Sequence, residues 1–238
     1  MSQIHWLLAI QSLVIVLGSV NRLTSFTTGY VLPNQYLRWV DFLNMLVIPA
    51  ISVCASYFLK AHLEHRATTT ARRWQRIVLT LLFILGIYWL AASYGTHEVT
   101  NYLNVRFCGA DSPLPENVCA IIAFNDDDFS HHVFFIAFTL INIVLLLTQV
   151  LHPLGRTLRG RDRILLTINA LFIALGIFAN LAFEVIGFDL WVVVALTGLS
   201  LYLLRRHGAQ PLLYYYSVAY SVGLLATVVA IALREPPV

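Results

Sequence analysis

Seven apolar stretches, each roughly 18–25 residues long, run through the chain and are separated by polar segments. A helix rises about 1.5 Å per residue, so each stretch can cross a hydrocarbon layer about 30 Å thick. Because lipid offers no partner for backbone N–H and C=O groups, such stretches favour α-helices. The predicted spans are Ile4–Val20, Val40–Phe58, Ile77–Ser93, His132–Leu151, Ile164–Ile186, Leu190–Leu204 and Leu212–Leu233. The sequence therefore predicts an all-α, polytopic membrane protein, with one seven-helix bundle over residues 1–238.

The basic residues are distributed unequally between the loops. Eleven of the 15 Lys and Arg residues fall in the second, fourth and sixth loops. By the positive-inside rule, these loops are cytoplasmic, the N-terminus is inside and the C-terminus is outside. Most acidic residues fall on the other side, so the net charge of +3 describes two ends of opposite sign and not a nucleic-acid-binding surface. We expect the basic loops to contact anionic lipid, as in a protein of a bacterial inner membrane.

Two of the three cysteines lie in the long segment that joins the third and fourth spans. We expect residues 94–131 to form an extracytoplasmic loop, and Cys108 and Cys119 to form a disulfide within it, because this side of a membrane is oxidising. A pair of metal ligands is the alternative, although the spacing is wider than in a CxxC motif. Cys54 lies inside a span, where a small buried apolar residue is expected.

Polar residues recur near the outer ends of four predicted helices. The groups are Asp41 with Asn44, His97 with Asn101, Asp128 with His131 and His132, and Asn180 with Glu184. Residues three or four positions apart share a helix face. Ionisable residues within spans usually face the bundle interior or a water-filled cavity, so these groups predict a polar cavity on the outer side. Asp126 and Asp127 have an alternative role, since acids before a helix cap its free N–H groups.

Imidazoles and carboxylates at helical spacing are ligands that suit zinc with one open position for water. We predict a zinc site formed by His97, Asp128 and one of His131 or His132. Asp128 and Glu184 are the predicted catalytic carboxylates, with Glu184 serving as a further ligand or as a general base. The predicted polar groups around the ligands are Asp41, Asn44, Asn101 and Asn180. Zinc-bound water has a pKa near 7, which suits hydrolysis.

Seven helices with a metal site of this kind resemble the alkaline ceramidase and progestin/adiponectin-receptor group of membrane metallohydrolases. The expected inside position of the N-terminus is similar to that of the receptor branch. The resemblance implies a lipid amide or ester as the substrate. The chain departs from the group in its final span, which contains no HxxxH motif, and its candidate ligands lie on the third and fourth helices instead.

The same polar cavity has a second interpretation from a different class of protein. It could serve a membrane sensor or receptor without turnover, or an ion- or proton-coupled transporter. The inner halves of the second to fifth spans are mostly Leu, Ile, Val and Phe, which argues against conduction but not against a sensor. A retinal-type pigment is disfavoured because the only lysine, Lys60, lies at the cytoplasmic interface. The expected partners are membrane lipid and a lipid-like or small-molecule ligand.

Overall fold

The computed structural model describes residues 1–66, 72–109, 114–155, 157–183 and 187–233 of the protein. Within these ranges, seven helices are long and apolar enough to cross a membrane, which confirms the predicted all-α, multi-pass membrane architecture. We number these helices in chain order: α1 (Ser2–Leu23), α2 (Trp39–Phe42, Leu43–Val47 and Ile48–Arg66), α3 (Arg73–Phe107), α4 (Glu116–Ala123, Phe124–Phe129 and Ser130–Leu151), α5 (Gly160–Phe183), α6 (Phe188–His207) and α7 (Pro211–Leu233).

Two helices are much longer than their apolar stretches. α3 has 35 residues and continues to Phe107, whereas the hydropathy of the sequence predicts that it ends at Ser93. α4 begins at Glu116, well before the predicted start at His132. Most of the predicted loop 94–131 is therefore helical, and the connection between the two helices lies between Phe107 and Glu116. The helices continue because their polar residues are paired with one another and with α1, and hydropathy alone cannot register that pairing.

The two ends of the bundle differ in their chemistry. At one end Cys108 and Cys119 form a disulfide with 5.5 Å between their Cα atoms, as predicted. We call this the disulfide end, and the opposite end, which carries the arginine-rich connections, the basic end. The connection between α1 and α2 is tied to the disulfide end, since the Tyr102 hydroxyl donates to the Gln35 carbonyl over 2.7 Å. Arg38 and Arg106 both lie over the Tyr102 ring, at 5.3 and 5.6 Å from its centroid.

Two π-helical segments interrupt otherwise regular helices near the disulfide end. They cover Leu43–Val47 in α2 and Phe124–Phe129 in α4. Each contributes one buried polar side chain, Asn44 in the first and Asp126 in the second. Such segments are rare and frequent at functional sites, since the extra residue changes which side chains face inward.

α7 packs against α5, α6 and α4 and carries the largest buried side chains of the bundle, including Tyr215 and Tyr220. Its contact with α5 is close at Gly223, where an added Cβ would lie 2.9 Å from Cγ2 of Ile177. Close approach through small residues is the usual way in which membrane helices associate, because lipid supplies little hydrophobic driving force between them. α4, whose apolar stretch is half buried, and α7 thus contribute much of the packed interior, and the exposed apolar side chains of the bundle suit a lipid environment.

Candidate functional site

A cavity of about 340 Å³ lies at the disulfide end, between five of the helices. Its walls come from α1, α2, α3, α4 and α5, so it lies within the bundle and not in a groove between two helices. Val14, Ile15, Ile48, Phe134 and Phe135 supply much of its apolar lining. Its ionisable lining side chains within the described residues are Arg22, Tyr94, His97, Glu98 and His131. The cavity therefore combines an apolar body with a charged region at one end.

An ion pair between an exposed arginine and a buried glutamate forms one wall of this cavity. Arg22 on α1 donates to Oε1 of Glu98 on α3 over 2.6 Å, and the Glu98 side chain is only 1% exposed. The second carboxylate oxygen, Oε2, is buried without a hydrogen-bond partner among the described residues. Arg22 also donates to Oδ1 of Asn101 over 3.4 Å. The arginine thus pairs with one oxygen of the carboxylate, while the other is enclosed by the protein and the Asn44 side chain also interacts with this group.

A histidine–carboxylate pair lies beside the ion pair. Nδ1 of His97 lies 2.9 Å from Oδ1 of Asp126, whose side chain is 2% exposed. Thr100 and Asn101 each donate to the same carboxylate over 3.4 Å. The ring of His131 lies 5.1 Å from that of His97, measured between centroids. This places two imidazoles in the cavity wall, with a buried carboxylate beside His97 that can orient its ring.

The structure places Asp128 and His132 away from this group. Both side chains are exposed, and Nδ1 of His132 lies 2.6 Å from the backbone oxygen of Asp128. The two residues do share a helix face, as their spacing predicts, but that face is turned away from the cavity. The π-helical segment Phe124–Phe129 supplies the physical reason, because its extra residue brings Asp126 inward in place of Asp128. Of the two adjacent histidines, His131 is the one that lines the cavity.

The remaining predicted residues divide into three groups. Asn44 and Asn180 line the cavity, and Asn44 accepts a hydrogen bond from Asn21 over 2.8 Å. Asp41 does not line the cavity. Its two carboxylate oxygens accept hydrogen bonds from Arg38 instead, over 2.7 and 2.8 Å. These hydrogen bonds raise the pKa of Arg38 above its ordinary value. Glu184 lies outside the described residues.

The predicted zinc site is not assembled by the side chains that the structure describes. In those residues, no three His, Cys, Asp or Glu side chains are grouped closely enough to hold a metal ion. The nitrogen of His97 that faces away from Asp126 lies 3.4 Å from a guanidinium nitrogen of Arg22, so a cation already stands beside it. The zinc site stays a prediction.

Three residues of the site were not assigned to it from the sequence, namely Arg22, Glu98 and Asp126. Glu98 follows His97 directly, and Asn101 lies three positions further along the same helix. Continuing α3 past Ser93 would have placed Glu98 on the same helix face as Asn101, and this was the sequence signal for Glu98. Arg22 ends a span where a basic residue at a lipid interface is the ordinary interpretation. Its partner lies 76 positions away, and the sequence contains no local signal for such a pair.

The half of the bundle toward the basic end is more polar than its hydropathy indicates. His5 and Asp162 lie 3.1 Å apart, and the hydroxyl of Ser12 donates to Oδ1 of Asn169 over 2.8 Å. Both contacts join α1 to α5, and each spans 157 positions in the chain. Lys60 is 5% exposed and donates to Glu64 over 2.7 Å. Each of these polar groups has a partner, which is how membrane helices tolerate them.

A smaller chamber of about 100 Å³ lies deeper in the bundle, toward the basic end from the cavity. Gln11 donates to Oγ of Ser56 over 2.9 Å at its wall, and the hydroxyl of Ser52 donates back to Gln11 over 2.7 Å. These side chains have neutral polar groups and satisfy one another. Among the described residues, the charged side chains of the bundle interior therefore lie at the disulfide-end cavity and in the His5–Asp162 and Lys60–Glu64 pairs toward the basic end.

The cavity, with its Arg22–Glu98 and His97–Asp126 pairs, can hold a small molecule that has one polar group and an apolar body. Sequence and fold comparisons assign the chain to no family: no protein-family model, no curated protein and no solved structure matches it.

Proposed function

We propose that this protein is a membrane sensor or receptor that binds a small amphipathic ligand in the cavity at the disulfide end and does not hydrolyse it. The observation that carries the proposal is a mostly apolar cavity of about 340 Å³ with the Arg22–Glu98 ion pair in its wall, of which the carboxylate is buried. Ligand pockets typically have volumes of about 300–1,000 Å³ and contain few, well-placed polar groups. A charged pair that is kept at a cavity wall in the membrane is costly, and its position favours a role in recognition.

The proposal includes an orientation. The arginine-rich connections at the basic end would face the cytoplasm, and the cavity would open toward the extracytoplasmic side of a cell membrane. The disulfide between Cys108 and Cys119 supports this assignment, since disulfides persist on the oxidising side of a membrane. The ligand would then reach the cavity from outside the cell or from the outer lipid leaflet.

A zinc-dependent hydrolase of a lipid amide or ester is the second candidate. One observation favours it: His97 and His131 lie side by side, and Asp126 contacts Nδ1 of His97 as a carboxylate does behind a metal-binding imidazole. A third ligand would have to come from outside the described residues, where Glu184 lies, or from a rearrangement. The two candidates therefore differ in whether the purified protein carries a metal.

The decisive experiment is native mass spectrometry of protein extracted with its surrounding lipid, together with elemental analysis for zinc. We expect about one amphipathic molecule per chain and no stoichiometric zinc. Gly18 lines the cavity and has no atom within 4 Å of an added Cβ, so Gly18→Leu should fill the cavity without a clash in the backbone. The matched control is Gly198→Leu, since Gly198 also has open space around it but does not line the cavity.

Loss of the bound molecule in Gly18→Leu and its retention in Gly198→Leu would support the proposal. About one zinc per chain, lost in His97→Ala and His131→Ala but kept in His62→Ala and His207→Ala, would overturn it in favour of the hydrolase. The last two histidines lie toward the basic end and are controls for the loss of an imidazole. A wild-type protein with neither a bound molecule nor zinc would overturn both candidates.

A further inference from the structure

A groove of about 630 Å³ lies at the basic end of the bundle, far from the disulfide-end cavity. We call it the basic-end groove. The first turns of α1 and the start of α5 form its walls, and its lining includes Trp6, Ala9, Arg159, Arg161, Asp162 and Leu165. α1 begins at Ser2 and its apolar stretch begins at Ile4, so the groove lies where this helix enters the hydrocarbon layer. The groove is thus at the depth of lipid head groups.

Two unpaired cations line the basic-end groove. Arg159 and Arg161 both contribute to its wall, and both residues are exposed. Neither side chain forms an ion pair or a hydrogen bond with the part of the chain that the structure describes. Each guanidinium group therefore keeps its N–H donors for water or for a bound molecule.

The carboxylate at this groove is already engaged by the protein. Oδ1 of Asp162 lies 3.1 Å from Nε2 of His5, and Oδ2 accepts a hydrogen bond from the backbone N–H of Arg159 over 3.2 Å. Asp162 is only 7% exposed, whereas both arginines reach the surface. The charge that a ligand meets in the groove is therefore positive.

Charge distinguishes this groove from a neighbouring one of similar size. The neighbour has a volume of about 660 Å³, lies on α1 as well and shares Trp6. Its described lining contains His62 but no Arg or Lys. Both grooves have room for part of a lipid molecule, but of these two only the basic-end groove offers guanidinium donors to an anion.

The rest of the basic-end groove suits a hydrocarbon chain. Ala9 of α1 and Leu165 of α5 contribute apolar surface to it. Trp6 lies at the same groove and is 71% exposed. Tryptophan is typical of the membrane–water interface, where its ring contacts both the head group and the chain of a lipid. A molecule with a negative head group and an apolar chain is therefore complementary to this groove.

We infer that the basic-end groove binds an anionic phospholipid, with its phosphate against the guanidinium groups of Arg159 and Arg161 and one acyl chain along Ala9 and Leu165. Guanidinium groups bind phosphate oxygens through paired, charge-assisted hydrogen bonds. Basic pockets between membrane helices recognise anionic head groups by this chemistry. The site is separate from the disulfide-end cavity, and the bound lipid bridges α1 and α5.

The test is native mass spectrometry of the whole chain, delipidated in a neutral detergent and titrated with three probes. Dioleoyl phosphatidylglycerol and dioleoyl phosphatidylcholine share their acyl chains and differ in net charge, and glycerol phosphate has the phosphate without a chain. We expect phosphatidylglycerol to bind about tenfold more tightly than phosphatidylcholine, because the arginines favour a net negative head group. Glycerol phosphate should not be retained, since it lacks the apolar part.

Arg159→Gln/Arg161→Gln should weaken phosphatidylglycerol binding about tenfold and leave phosphatidylcholine binding nearly unchanged. Arg205→Gln/Arg206→Gln is the matched control, because these two exposed arginines end α6 at the same end of the bundle and do not line the groove. All four side chains are exposed, so both double variants should fold. An equal loss in the two double variants would overturn the inference, since it would show a diffuse attraction to basic residues. Equal binding of the two lipids to the wild type would overturn it as well.

Two further outcomes concern the occupant and the place. Glycerol phosphate bound as tightly as phosphatidylglycerol would overturn the lipid in favour of a soluble phosphate compound. Gly18→Leu, which fills the disulfide-end cavity, should leave phosphatidylglycerol binding unchanged, because Gly18 does not line the basic-end groove. Loss of phosphatidylglycerol in that variant would overturn the basic-end site and leave the proposed ligand-binding cavity in place. A phospholipid at the basic end is counted in addition to the molecule expected in that cavity.

Discussion

Oδ1 of Asp126 lies 2.9 Å from Nδ1 of His97, although the two residues are separated by 29 positions and lie on different helices. The contact joins the π-helical segment of α4 to the part of α3 that extends beyond its apolar stretch. Asp126 is 1% exposed, so a change at this position alters both the cavity and the packing of the two helices.

The first prediction concerns this pair. Asp126→Asn removes the carboxylate charge beside His97 and should lower the free energy of unfolding by about 1–3 kcal/mol, since a buried contact between a carboxylate and an imidazole is replaced by a weaker one to an amide. Asp128→Asn makes the same chemical change at an exposed position two residues away and should change stability by less than about 0.5 kcal/mol. Thermal unfolding in one detergent measures both variants. Equal destabilisation of the two would contradict the burial of Asp126 in place of Asp128.

The second prediction concerns the disulfide. Cys108 and Cys119 are 11 positions apart, and closing a loop of this size should stabilise the fold by about 3 kcal/mol in the loop-entropy account. The double variant Cys108→Ser/Cys119→Ser should have a free energy of unfolding lower by about 3 kcal/mol, which is measured as a lower denaturant midpoint. Cys54→Ser is the control, because Cys54 is a free, exposed cysteine in α2. Free thiols at 108 and 119, found by mass spectrometry in protein purified without reductant, would contradict the bond.

The third prediction concerns the contact between α5 and α7. An added Cβ at Gly223 would lie 2.9 Å from Cγ2 of Ile177 and 3.2 Å from the backbone oxygen of Ala174. Gly223→Ala should therefore destabilise the bundle by about 1–3 kcal/mol through overpacking. Gly198→Ala places the same methyl group on α6, where no atom lies within 4 Å, and should be neutral or slightly stabilising. A Gly223→Ala protein as stable as Gly198→Ala would show that the two helices are further apart.

The fourth prediction concerns orientation in the membrane. Single cysteines introduced by Arg72→Cys and Arg161→Cys should react with a membrane-impermeant thiol reagent only after the cell membrane is opened. Asp111→Cys, in the connection between α3 and α4, should react in intact cells. This pattern follows from the basic residues around positions 72 and 161 and from the positive-inside rule. Reaction of Asp111→Cys only in opened cells would reverse the orientation and place the cavity toward the cytoplasm.

The sequence predicted the features that depend on local composition. Each apolar stretch identified one helix because crossing lipid requires a run of apolar residues whatever the neighbouring helices are. The disulfide was predictable for a similar reason, since Cys108 and Cys119 are close in the chain and any compact turn brings them together. The polar pairs at the helix ends also indicated the region of the cavity, which His97, His131, Asn44 and Asn180 line.

Only the tertiary structure decided which side chains form the site. The spacing of Asp128, His131 and His132 implies a regular helix, and a π-helical segment rotates Asp126 inward in place of Asp128. The Arg22–Glu98 pair depends on α1 lying beside an extended α3, and the residues are too far apart in the chain for local spacing to connect them. Hydropathy is a property of each segment, so it determines how many helices cross the membrane. The choice of charged partner depends on how those helices pack, because a buried charge must find its partner on whichever helix lies next to it.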